Sequence, residues 1–253
     1  QLEKDWKQYP VIRLDMSRGG ASEDTLRSYL NLRFKDYEEK YNITPDPTAM
    51  LADRFHAIIA TAYKQTGLRV AVLIDEYDSP LQHSWRTPEH EKCTGVYREV
   101  FAILKADDEY EQFVFITGIT KFTQISLFSV LNNLYNISFM PEYAAICGIT
   151  EEEIEENFMP ELKQMSEANN WSVQETHDRL KAYYDGYHFS RRNMVDVYNP
   201  YSLVNALKSK EIINFWASSG ATSLLPKFVD DIELRLGNYE NIRIMQNTIE
   251  MSD

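Results

Sequence analysis

The chain has 253 residues, 43% of them hydrophobic and 26% charged, which is the composition of a folded globular protein with one large domain or two modest ones. Its formal net charge is −13, which disfavours a nonspecific grip on nucleic acid, whose phosphates need a basic footprint. Cys93 and Cys147 form no CxxC pair, so the pattern predicts neither a disulfide scaffold nor a zinc knuckle. It suits a reducing, cytoplasmic setting, and no apolar run reaches the roughly 18 residues of a membrane helix.

The first predicted element is a short buried strand, Tyr9–Ser17, closed by the turn signal Ser17-Arg18-Gly19-Gly20. A helical pattern over Ser22–Tyr41 follows, with Leu26, Leu30 and Phe34 at spacing four. A second runs over Thr48–Thr66, with Leu51, Phe55, Ile58, Ile59 and Ala62 on one face and Gly67 placed as its C-terminal cap. Val70–Leu81, VAVLIDEYDSPL, is an apolar strand running into Asp75 and Glu76. Then come a helix over Val96–Lys105, a strand at Phe113–Gly118, a short helix over Ile125–Leu134 and a strand at Tyr135–Met140. Apolar strands alternating with helices predict a parallel sheet covered on both faces, within an α/β unit spanning residues 1–148. Residues 149–253 read as mainly helical. Capping boxes start at Thr150 and Ser172, Asn199-Pro200 opens another helix, and a further helical segment covers Phe215–Val229. Met194–Tyr198 reads as one strand of a small hairpin.

An apolar strand ending in Asp-Glu is the Walker B pattern. At the C-terminal edge of a parallel sheet, Asp75 would hold Mg²⁺, largely through water, and Glu76 would act as general base on the attacking water. The bland alternative is a strand that simply ends in acids where it meets solvent. Asp15 and Thr117 fall at two further strand ends, which would bring polar groups from three strands to one edge. Thr120 and Lys121 follow close behind Thr117. None of the nine glycines precedes a lysine, so the chain contains no G-x-x-x-x-G-K-[ST] phosphate loop, and Gly19-Gly20 reads as a turn.

Other chemistry is weaker. Glu38-Lys40 and Glu161-Lys163 match the E-x-K of nucleases but lie in helical patterns. His83, His90 and Cys93 lack a fourth metal ligand at suitable spacing. The cluster Tyr183, Tyr184, Tyr187, His188 and Phe189 reads as packing for the helical part, and Arg191-Arg192 as solvated loop arginines.

Taken together, YPVIRLDMS, VAVLIDEYDSPL, the long stretch from FVFITGITKF to ICGITEEEI, YYDGYHFS and VYNPYSLVNAL resemble the AAA-ATPase-like family, over about Tyr9 to Leu225. The resemblance implies a P-loop ATPase core related to archaeal-type ATPases, binding ATP with Mg²⁺. Asp75 and Glu76 take the Walker B positions, Thr117 the γ-phosphate sensor position, and Lys121 has no assigned role. It also implies that a strand, the Walker A loop and a helix precede the segment matching Tyr9–Asp15, so that this chain lacks them. Many members carry a C-terminal restriction-endonuclease-like nuclease domain, and oligomers are compatible with the family. A non-catalytic regulatory or interaction module on the same fold is the competing expectation. With the Walker A strand missing, the Phe113–Gly118 strand is expected to have its edge covered by Tyr135–Met140, by another copy of the chain, or by a segment outside this sequence.

Overall fold

The computed structural model describes residues 7–119, 134–189 and 195–215. The described residues fall into two compact units that divide between Tyr135 and Asn136.

In the first unit three parallel strands, β1 (Val11–Asp15), β2 (Val70–Asp75) and β3 (Glu111–Ile116), stand in the order β1-β2-β3. Asp15 lies opposite Asp75, and Ile74 opposite Ile116. The connections carry α1 (Glu23–Lys40), α2 (Leu51–Thr66), α3 (Ser79–Ser84), α4 (Glu89–Phe101) and the single turn α5 (Ile103–Ala106). Ser22 caps α1 in a capping box with Thr25, and Gly67 ends α2 at φ 67°. Two helix starts borrow an acceptor from α4: Glu89 receives the Glu23 amide at 3.0 Å, and Glu99 the Leu51 amide at 3.1 Å. A carboxylate at a helix N-terminus both satisfies an orphan amide and complements the helix dipole.

The core lies on one face of the sheet. Ile12, Leu14, Val72 and Ile74 are buried there beside Leu30, Phe34, Phe55, Ile58 and Ile59 of α1 and α2. Phe34 and Phe55 stack with ring centres 5.2 Å apart. Beside them Arg54 grips the buried Glu38 through two hydrogen bonds of 2.6 and 2.8 Å. That pair accounts for Glu38, one of the E-x-K acids.

The opposite face departs from expectation. Val11 and Phe113 are exposed and Ala71, Leu73 and Phe115 only half-buried, so among the described residues the sheet is covered on one face, not two. The reason is topological. Each strand is added on the same side of the last, and right-handed crossovers taken in one direction deliver every connecting helix to the same face.

Three further differences are local. The predicted helix at Val96 starts earlier, at Glu89, and ends at Phe101, while α3 was not anticipated at all. Tyr135–Met140 forms no strand. The Asn136 side chain accepts the Ser138 amide at 3.0 Å and the Met140 amide bonds to Ile137, so local turns take the groups a ladder would need. Among the described residues of the first unit β3 is paired along one edge only, with β2. The predicted helices over Ile125–Leu134 and Phe215–Val229 lie almost wholly outside the described residues.

The second unit contains α6 (Glu151–Asn157), α7 (Met159–Asn169), α8 (Val173–Tyr184) and α9 (Pro200–Ser209). Thr150 and Glu153 exchange both bonds of the expected capping box. Ser172 caps α8 and Asn199 caps α9. Ile154, Leu162, Met165, Leu180, Tyr184, Tyr198 and Leu203 form its core. Where a hairpin is expected at Met194–Tyr198, the described residues from 195 on carry two isolated antiparallel bridges, Val197 with Tyr187 and Tyr198 with Ile149, and Met194 lies outside the described residues. Of the aromatic cluster expected to pack this unit, Tyr184 is buried and Phe189 half-buried, while His188 is exposed. Tyr183 and Tyr187 are exposed. No described helix is long and apolar enough to cross a membrane.

Candidate functional site

The C-terminal edge of the sheet gathers Asp15, Asp75 and Thr117. In-register pairing puts Asp15 beside Asp75, and the residue after Ile116 falls on Asp75's other side. The Thr117 hydroxyl donates to Asp75 Oδ1 at 2.7 Å, and the Thr117 amide continues the ladder to the Ile74 carbonyl at 2.8 Å. Asp75 Oδ1 also accepts the Glu76 amide at 3.1 Å, while Arg13 approaches Oδ2 at 3.4 Å. Both members of that ion pair are exposed, so it contributes little to stability. Asp15 is occupied differently: its Oδ1 accepts the hydroxyl and amide of Ser17, closing the turn after β1.

Glu76 adopts φ 47°, the left-handed region that costs a non-glycine residue about 1–2 kcal/mol. Such outliers collect at functional sites. The side chain reaches solvent. Its carboxyl is nevertheless held above the ordinary glutamate value, first by desolvation and then by the negative charges of Asp15, Asp75 and Asp78, with His83 pulling the other way.

Asp78, the third acid of the motif, does a different job. It is buried and accepts the Ile119 amide at 3.0 Å and the Gln82 side-chain amide at 2.5 Å. It thereby ties the chain leaving β3 to α3. Gly118 lies against the same group, since a methyl there would come within 2.5 Å of Asp78 Oδ1 and 2.6 Å of the Tyr77 ring. The Tyr77 carbonyl accepts the hydroxyl of the buried Tyr97, and the Tyr77 amide donates to the Thr117 carbonyl at 2.9 Å. In the sequence Asp78 stands out only as a third carboxylate after Asp75 and Glu76, and neither its role nor those of Gly118 and the Glu76 backbone can be read there. The signal available was the spacing of Asp78 and Gln82, one helical turn apart.

The residues fit a hard cation. Magnesium keeps several waters and takes one or two protein carboxylates, and Asp75 offers a half-exposed carboxylate already oriented by Thr117. Among the described residues no three His, Cys, Asp or Glu side chains form a group able to hold a metal by themselves. An open cleft of about 400 Å³, lined by Arg18, Asp24, Thr25, Ser28, Tyr29 and Leu32, includes none of Asp75, Glu76 and Thr117. Thr120, Lys121, Arg191 and Arg192 lie outside the described residues.

Residues 1–128, just over half of the chain, match the family model described as Predicted AAA-ATPase. The chain belongs to this AAA-ATPase-like family. The match contains β1, β2 and β3 and with them every residue of the edge just described. This AAA-ATPase-like chain is also similar to the "Uncharacterized protein in vnfD 5'region" of Azotobacter chroococcum mcd 1, with 31% identity over 226 residues. That similarity covers 87% of the chain but only 41% of the relative's length. No solved structure matches the chain.

Proposed function

We propose that the sheet edge is the metal and water half of an ATP-hydrolysing site, with Asp75 as the Mg²⁺ carboxylate, Glu76 as general base and Thr117 as the γ-phosphate sensor. The observation that carries this reading is the 2.7 Å bond from Thr117 to Asp75, which joins two adjacent strand ends beside Glu76. A bound Mg²⁺ would neutralise charge on the β- and γ-phosphates. Asp75 would hold that ion, and Thr117 keeps the Asp75 carboxylate oriented. Glu76 accepts a proton from the attacking water, a task suited to a carboxyl held above its ordinary value. The phosphate cradle is not supplied by this sequence, which has no G-x-x-x-x-G-K-[ST] loop, so the 253 residues alone should bind Mg·ATP weakly.

The experiment is an ATPase assay on the whole protein, wild type against Glu76→Gln. A loss on the order of 10²-fold or more is expected for removal of a general base. Equal rates would remove Glu76 from the mechanism and favour a regulatory module on an ATPase fold. Calorimetry of the isolated chain with Mg·ATP checks the other half, and tight binding there would overturn the account of the cradle.

A further inference from the structure

The exit of β3 is held by the segment that leads from β2 into α3. The pairing of β3 ends at Ile116, and the Thr117 amide makes its bond to β2 at the Ile74 carbonyl. Beyond that point the Tyr77 amide donates to the Thr117 carbonyl at 2.9 Å, and Asp78 Oδ2 accepts the Ile119 amide at 3.0 Å. Gly118, between these two ties, lies against both side chains. A methyl group there would stand 2.5 Å from Asp78 Oδ1 and 2.6 Å from the Tyr77 ring. Neither neighbour is free to retreat. Asp78 is 1% exposed and Tyr77 6% exposed. Gln82 donates to Asp78 from one turn along α3, and the Tyr97 hydroxyl holds the Tyr77 carbonyl.

The turn after β1 seats on the same segment, since a methyl group on Gly19 would come within 2.7 Å of Pro80 Cγ. Residues 77–80 are thus packed against the exits of both strands that flank β2. For packing alone, a carboxylate at position 78 is a poor choice. Taking it out of water costs several kcal/mol unless donors satisfy it, and an apolar side chain of similar size would fill the space without that cost. Such a side chain would not accept the Ile119 amide. What the carboxylate adds is a fixed direction for the peptides that follow Thr117. The Thr117 hydroxyl is the group that bonds Asp75 at 2.7 Å.

We propose that Asp78 is a positioning residue for ATP turnover: through the Ile119 amide and the seat of Gly118 it keeps the Thr117 hydroxyl on Asp75. The proposal rests on the ATPase reading of the sheet edge and extends it to a buried group behind the edge. A displacement of about 1 Å at a reacting group can cost as much as about 10²-fold in rate, so a tie of this kind is enough to govern turnover.

The test presses on the contact from both sides. Asp78→Ala removes the acceptor, Gly118→Ala pushes against it from the exit of β3, and Asp78→Asn keeps an oxygen for the Ile119 amide. Gly118 is exposed, so its variant decides the matter should Asp78→Ala fail to fold. Steady-state ATP turnover is measured on the whole protein, each variant alone and combined with Thr117→Val. Asp78→Ala and Gly118→Ala should each lower kcat roughly tenfold or more while KM for Mg·ATP stays within about twofold, and Asp78→Asn should keep most of the rate. Combined with Thr117→Val, neither should cost more than about twofold further, because residues that act through one group are not additive. Hydrogen exchange of the Ile119 amide, read by NMR on the 253-residue chain, needs no nucleotide. The amide should be protected in wild type and in Asp78→Asn, and exchange roughly tenfold or more faster in Asp78→Ala. Wild-type kcat in Gly118→Ala, an equal loss with and without Thr117→Val, no rescue by Asp78→Asn, or an Ile119 amide that exchanges freely in wild type would each overturn the proposal. Failure of the ATPase reading looks different: Glu76→Gln then turns over ATP at the wild-type rate while Ile119 exchange still responds to Asp78→Ala, and the role in turnover falls with that reading.

Discussion

Replacing Glu111 by Gln should change how the stability of the first unit depends on pH. Glu111 opens β3, is 7% exposed, and its Oε1 has no hydrogen-bond partner among the described residues. Burial pushes its carboxyl from the ordinary 4.5 up to about 8, and the nearby charges of Asp107 and Asp108 push the same way. A folded-state value above the unfolded one means that the native state holds the proton more firmly. The associated stability is full below about pH 4.5 and is lost as pH rises to about 8. At 1.36 kcal/mol per pH unit the whole span is worth about 5 kcal/mol. Measured against a typical domain stability of roughly 5–15 kcal/mol, that is a large share. Glutamine has nearly the same shape and cannot ionise. At pH 5 the two proteins should therefore agree within about 1 kcal/mol, whereas at pH 9 the variant should be the more stable by roughly 3–5 kcal/mol. Urea denaturation followed by circular dichroism across that range reads the difference directly. Parallel stability curves for wild type and variant would show that Glu111 is ionised or solvated in the native state, and the argument from burial would fail.

Arg54→Ala strands the buried Glu38 carboxylate and should cost about 3–5 kcal/mol in the same denaturation assay, while an exposed pair such as Arg13 with Asp75 should cost under about 1 kcal/mol. Glu76→Gly should relax the left-handed backbone and raise stability by up to about 1 kcal/mol, while the proposed role as general base predicts a loss of ATP turnover on the order of 10²-fold or more in the whole protein. Thermal melts and turnover measured on one preparation separate the two effects, and a destabilised Gly variant would refute the strain argument.

The site was legible where chemistry sits on regular structure. Asp75 and Thr117 could be placed on one sheet edge because apolar runs of strand length end at them, and parallel pairing brings those ends together. Asp78 was opaque because its role depends on α3, a helix of six residues too short to show a period. The one-sided sheet was illegible for another reason. Phe113 and Phe115 look like core residues in sequence, and only the direction in which successive strands are laid decides which face the helices cover. The tyrosine cluster misled in the opposite sense. Adjacent residues on a helix point about 100° apart, so Tyr184 can be buried while Tyr183 faces out.

The acceptors that α4 lends to α1 and α2 bear on how the protein is made. Glu89 and Glu99 are synthesised after both of the helices whose first amides they satisfy. A nascent chain that has left the ribosome only as far as Asp75 carries β1 and β2 but neither acceptor for the Glu23 and Leu51 amides. α4 supplies both acceptors, and β3 follows it in the chain and lies beside β2. Residues 89–101 thus fasten the starts of two earlier helices at once, and cutting the chain before Glu89 removes both acceptors together.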